Sequence, residues 1–396
     1  MLETSAQAGA LSDLVVVEYT EGISGAMCAK ALADLGADVI KIEPPEGNPL
    51  RQSGPFPNGK PNPEASGQFL YLNANKRGVT LDLNSDEGRN QMNSLLATAD
   101  FFVTDLTSTE ARKLKISHAD LESEYPRLIC ASVTPFGNTG PYKDHQATDL
   151  IVWHMGGMGW ETPAFAVTDS PNEPPLKGRG SMGMLLGGWT AAAASMVALY
   201  YREQYGVGQE VDVSAFESVV NHIRGNFAMH SYDAKTLPKN REKAMFSWIW
   251  PCKDGYVSIA FIFDHWWASL VELMGSPEWA TNPVYAEFIG RRENVGVIEP
   301  LLAAWMKPQT RAELYEKMQS SKIPCFPVQN MAEVVDSPHY NERGFWVSQD
   351  HPIAGSVKQP GPPMRLGETP WKLRKPAPTL GQHNSEILNG AKPSKR

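Results

Sequence analysis

Residues 14–19, LVVVEY, form a continuous apolar run closed by a turn, and the chain then repeats that theme. An unbroken apolar run reads as a strand buried on both faces of a parallel sheet; a half-exposed strand would alternate. SGAMCAKALADLG follows at helical period and closes on Gly36 in C-cap position. ADVIKIE (37–43), GVTLDLN (78–84), DFFVTDL (100–106) and RLICASVTPFG (127–137) read as further strands, with DEGRNQMNSLLATA (86–99) a helix among them. GVGQEVDVSAFESVV adds a strand and a helix after Tyr205. Strand–helix alternation with short loops predicts an α/β fold with a doubly wound parallel sheet.

At 396 residues the chain exceeds one ordinary core, which predicts a second domain. The texture changes near Met245. WIWPCKDGYVSIAFI reads as antiparallel strands about an Asp254-Gly255 turn, and DHWWASLVELMG, VGVIEPLLAAWM and RAELYEKMQSSK as amphipathic helices. This is a smaller α+β domain. Beyond Pro327 the chain is rich in Pro and Gly.

A net charge of −8, with both signs interspersed, argues against a nucleic-acid partner. Cys28, Cys130, Cys252 and Cys325 are scattered, and neither they nor the histidines show metal-ligand spacing, so no metal is expected. MLETSAQAGALSD has neither the basic region nor the apolar core of a signal peptide, and a reduced, cytoplasmic setting fits. Met184 to Tyr201 is uncharged over about the minimum spanning length. It is nevertheless rich in Ala and Gly, carries Thr190 and Ser195, and has no second span beside it. It reads as a buried helix, with no membrane partner.

GRGSMG, residues 178–183, spells G-x-G-x-x-G. The dinucleotide fingerprint needs a strand before it and an acidic residue after a second strand. Here DSPNEPPLK precedes it, with three prolines, and the acid about 20 residues on, Glu203, continues a helix. The loop reads as a tight turn into a closely packed helix.

In open α/β sheets ligands bind beyond the carboxyl ends of the strands. Those ends supply TEGISG, EPPEGNP, NKRG, DLTST and TPFGNTGPY, with Lys41, Lys76, Arg77, Arg112 and Lys113 nearby. Glycines and cations together suit a phosphate-rich ligand; the same cations also suit a solvated surface. There is no G-x-S-x-G nucleophile elbow, and His145 and His154 flank Asp149 without an evident nucleophile.

LSDLVVVEYTEGISGAMCAKALADLGADVIKIEPPEGNPLR, YLNANKRGVTLDLNSDEG, ASVTPFGNTGPYKDHQATDLIVWHMGGM, GVGQEVDVSAFESVV and APTLGQHNSEIL resemble, in order and over nearly the whole chain, the class III coenzyme A transferases. The resemblance implies a large Rossmann-like domain built from both chain ends, here residues 1–222 and 330–396. It also implies a small α+β domain, 223–329, and an interlocked-ring dimer. It implies coenzyme A or acyl-CoA as substrate, with no permanently bound cofactor. Leu81, Asn84, Asp105, Leu106, Arg112, Lys113, Thr134, Phe136 and Gly137 match positions lining the family's CoA site. The family's nucleophilic aspartate maps to Met184, and no Asp or Glu lies between Glu173 and Glu203. The acid–base pair of the related racemases maps to Met184 and Thr148, so racemisation is disfavoured. Three readings follow. The chain is the subunit without the nucleophile in a heteromeric CoA-transferase, a homomeric CoA-thioester lyase or hydratase using other residues, or a non-catalytic CoA-binding regulator. Trp248, Trp250, Trp266 and Trp267 suit either an aromatic acyl pocket or a core.

Overall fold

The computed structural model describes residues 9–162, 174–233, 249–259 and 262–389. Six strands form one parallel sheet: β1 (Val15–Tyr19), β2 (Asp38–Glu43), β3 (Lys76–Thr80), β4 (Phe101–Thr104), β5 (Ile129–Thr134) and β6 (Glu210–Ser214). Their order is β3-β2-β1-β4-β5-β6. Alternate residues of the four central strands β1, β2, β4 and β5 enter two separate cores, Val16, Val39, Phe101 and Ile129 one, Val17, Ile40, Phe102 and Cys130 the other. A sheet buried on both faces requires this. The strand order reverses between β1 and β4, so their carboxyl ends bound the crevice where such sheets bind ligands.

The chain divides into two compact units. One takes Met1–Met158, Lys177–Arg224 and His339–Arg396; the other takes Gly159–Leu176 and Gly225–Pro338. In the first, the helix Met182–Tyr205 buries Gly187, Gly188, Ala191, Ala192, Ser195 and Ala198. It is long and apolar enough to cross a membrane by composition, but its stripe of small side chains packs against the helix Ile23–Asp34 and against β5 and β6. Small residues let the two helix backbones approach closely.

The second unit carries an antiparallel sheet of β7 (Ile249–Cys252), β8 (Gly255–Ile259) and β9 (Cys325–Pro327). Cys252 pairs with Gly255, so Lys253 and Asp254 make the turn. Helices Asp264–Leu273, Val295–Met306 and Arg311–Ser320 complete it. Trp250 and Trp267 are buried among Ile298, Leu302, Leu314 and Met318, and Trp266 packs on that cluster. These tryptophans fill a core. Trp248 lies outside the described residues.

Back in the first unit, β10 (Trp346–His351) and β11 (Gly355–Pro360) form a hairpin that the Pro- and Gly-rich texture did not announce. Its buried positions are polar: Gln349, His351 and Gln359. Gln349 donates to Gln359 at 2.8 Å and to the Leu70 carbonyl at 3.2 Å, and accepts from the Ala377 amide at 3.1 Å. The terminal segment then runs along the sheet edge. Asn75 donates to the Lys375 carbonyl at 3.0 Å, the Gly78 amide to Nδ1 of His383 at 3.0 Å, and the Thr80 amide to Oδ1 of Asn384 at 2.9 Å.

Candidate active site

The crevice at the ends of β1 and β4 holds a carboxylate of the protein itself. Helix Ile23–Asp34 begins after Gly22, which has no capping side chain. Asp105, beyond β4, supplies the missing acceptor: its carboxylate accepts the amides of Glu21 and Gly22, each at 2.7 Å. A Cβ on Gly25 would lie 2.5 Å from Cγ2 of Thr20, so this approach needs glycine. Desolvation pushes the Asp105 carboxyl up to about 6 although the two amides pull it down. The carboxylate thus occupies the two amides just ahead of the helix. The surrounding rim is acidic, since desolvation, then Glu110 and Glu46, raise the pKa of Glu21.

Three of the cations singled out as phosphate ligands are committed elsewhere. Lys41 and Lys76 are fully buried and grip the buried Glu18 carboxylate at 2.9 and 2.7 Å. Burial works to raise the Glu18 pKa, but the two ammonium groups outweigh it and the net shift is downward. Desolvation lowers Lys76 to about 8, with Glu18 opposing. Arg77 is held by Asp38 and Glu386. Buried charges must be paired, and these are.

The residues matched to the CoA site fall at three strand ends. Leu81 and Asn84 follow β3; Leu81 is buried and Asn84 exposed. Asp105, Leu106, Arg112 and Lys113 follow β4; Leu106 is buried, while Arg112 and Lys113 are exposed in the last turn of the helix Ser108–Lys113. Arg112 lines a cavity of about 180 Å³ with Thr104, His118, Ser132 and Asn138. After β5, Oγ1 of Thr134 accepts the Gly137 amide at 2.8 Å, and Gly137 has φ of +82°, which glycine adopts without strain. Phe136 packs against Tyr142 and Phe216 at 5.7 and 6.0 Å between ring centroids.

Met184 stands in the first turn of the long helix and packs on Val152, Ala215 and Val219. Its amide donates to Oδ1 of Asp149 at 2.9 Å, and its carbonyl accepts from Oγ of Ser24 at 2.9 Å. The other oxygen of Asp149 pairs with Lys177 at 2.7 Å, and Lys177 donates to the carbonyls of Gly178 and Gly180. The G-x-G-x-x-G loop is therefore pinned by a lysine–aspartate pair, and no strand leads into it among the described residues. Ser24 and Lys177 escaped sequence reasoning, because their partners are distant in the chain. A neutral thioether at this turn cannot form an acyl anhydride, and the nearest fixed carboxylate is occupied.

Against known proteins, the chain is 30% identical over 384 residues to subunit BbsE of succinyl-CoA:(R)-benzylsuccinate CoA-transferase from Thauera aromatica, covering 94% of this chain and 92% of that one. It is 30% identical over 391 residues to succinyl-CoA:mesaconate CoA-transferase from Haloarcula hispanica, covering 97% and 96%. The crystal structure of a CAIB/BAIF family protein from Brucella suis superimposes with a TM-score of 0.83 at 27% identity, over 97% of this chain and 99% of that one. The model of CoA-transferase family III matches residues 11–384, which take in the whole parallel sheet and the segment that closes its edge. With the overall fold and the sequence in agreement over that span, the chain belongs to CoA-transferase family III.

Proposed function

We propose that this chain is a CoA-binding subunit of a class III CoA-transferase, which moves CoA from a thioester to a carboxylic acid, and that a paralogous partner chain supplies the nucleophilic carboxylate. The observation that carries this reading is Met184. In the family's chemistry a carboxylate attacks the donor thioester, expels CoA thiolate and becomes a mixed anhydride; the thiolate then attacks that anhydride, releasing the donor acid and leaving an enzyme-bound CoA thioester, which the acceptor carboxylate resolves. Met184 occupies the turn from which that carboxylate would act, and its main chain is fixed on both sides by Asp149 and Ser24.

We place CoA across the strand ends at Leu81, Asn84, Asp105, Leu106, Arg112, Lys113, Thr134, Phe136 and Gly137. Four strand spacings separate the end of β3 from that of β5, about 19 Å, so a ligand touching all three ends must be long and extended, as CoA is. Arg112 and Lys113 are the cations left for its phosphates, with Asp105 contributing main chain because its carboxylate is engaged. CoA is a substrate here, not a resident group. Residues 1–222 and 330–396 would form the CoA-binding domain and 223–329 the smaller one, in a cytoplasmic, intertwined dimer. An exposed stripe of Trp189, Val197, Tyr200, Tyr201 and Tyr205 on the long helix supports burial against another chain.

The test uses succinyl-CoA, the donor in the names of both relatives, with carboxylic acids as acceptors. The purified chain alone should transfer nothing, and borohydride trapping should label none of its carboxylates. Mixed with a paralogue bearing Asp at the position of Met184, activity should appear and the adduct should lie on the paralogue. Met184→Ala should leave most turnover, because the side chain fills space. Turnover by the isolated chain would overturn the partner-subunit reading.

A further inference from the structure

A cavity of about 580 Å³ opens at the base of the β10–β11 hairpin, in a part of the first unit that the strand-end site does not use. Its size falls within the range of about 300–1,000 Å³ typical of small-molecule sites. Tyr340 and Phe345 form one wall, with ring centroids 5.3 Å apart. The Phe345 amide donates to the Tyr340 carbonyl at 2.9 Å, and the Phe345 carbonyl accepts from Gly361 at 2.7 Å, so this wall is tied to the hairpin. Trp371 and three prolines face it. Arg343 and Arg365 line the same cavity, and no carboxylate does. Both are exposed, and neither has an ion pair or a side-chain hydrogen bond among the described residues.

Apolar walls and two unpaired arginines with no carboxylate beside them define the complement. We infer that this cavity binds a small organic anion with a flat apolar or aromatic body carrying carboxylates. The guanidinium groups take the carboxylates, for which their planar fork is suited, and the rings and prolines cover the body. The inference does not rest on the CoA reading.

Isophthalate is the probe, titrated calorimetrically into the full-length purified protein in its native assembly. One saturable site per chain is expected, with succinate and benzyl alcohol each binding at least about tenfold more weakly, since each lacks half of the complement. Arg343→Gln with Arg365→Gln should weaken isophthalate by about tenfold or more at an unchanged melting temperature, and Arg343→Lys with Arg365→Lys should retain part of the affinity. Arg112→Ala with Lys113→Ala should leave it unchanged. The proposal is overturned by absence of binding, as when another chain covers the cavity. Equal affinity in the double Gln variant, equal affinity for benzyl alcohol, or loss of binding in the Arg112, Lys113 variant would each overturn it as well.

Discussion

A Cβ placed on Gly188 would lie 2.5 Å from the carbonyl oxygen of Ser24 and 2.7 Å from Cβ of Met27. The obstacle is helix backbone, which has no rotamer to yield. Gly188→Leu should therefore destabilise the protein by about 1–3 kcal/mol, even after the roughly 0.8–1 kcal/mol by which leaving glycine favours a helix. Urea denaturation measures this; a wild-type midpoint would mean that the two helices part freely.

His383 accepts the Gly78 amide on Nδ1, which requires the neutral ring. Desolvation lowers its pKa, helped by Lys375 and Arg77 and opposed by Glu386. A depressed folded pKa means that the unfolded chain takes up the proton first, so stability from this contact is present above about pH 6.5 and lost as pH falls through the folded pKa. Proton NMR should find the imidazole midpoint below the ordinary value. His383→Ala should cost about 1–3 kcal/mol at neutral pH, the penalty of an unsatisfied amide, and should flatten the acid limb of the stability profile.

Asp149 bridges the Met184 amide and Lys177. Asp149→Asn keeps an acceptor but loses the ion pair; about 1–3 kcal/mol should go. Asp149→Ala leaves the Met184 amide without its acceptor and Lys177 without its counter-ion, and should approach the roughly 3–5 kcal/mol of a broken buried pair, from below, because some solvent reaches both side chains and Lys177 keeps the Gly178 and Gly180 carbonyls. Chemical denaturation of the two variants orders them; equal stability would mean that the bridge fixes nothing.

Arg112→Ala with Lys113→Ala should weaken CoA binding by up to about 1.5–3 kcal/mol per lost charge-assisted bond. Both side chains are exposed, so the loss should shrink as salt rises. Calorimetry at low and high ionic strength checks both parts, and salt-independent binding of unchanged strength would take the pair out of the site.

The strands of the large sheet were legible because burial on both faces writes itself as apolar runs. The two edge strands depart from this: β6 is the alternating EVDVS, and β3 starts at Lys76 and not at Gly78. A lysine argues against a buried strand until its partner is known, and Glu18 comes from another strand. The hairpin of β10 and β11 was hidden for a related reason, since its inward side chains are Gln and His, bonded to one another and to main chain. At the site, Met184 was found by its place in the chain, but the role of Asp105 was not. A cap 83 residues from the amide it accepts leaves no local signature.

The side chain that caps β3 arrives 305 residues after Gly78. At about 5–20 residues per second of synthesis, the edge of the sheet stands open for roughly 15–60 s while the rest of the chain is made. An open edge is a template for foreign strands. Nascent chains stalled before residue 375 should therefore be the form that chaperones retain and that aggregates on release, and fusions that delay or block the terminus should lower the soluble yield without touching any residue of the site.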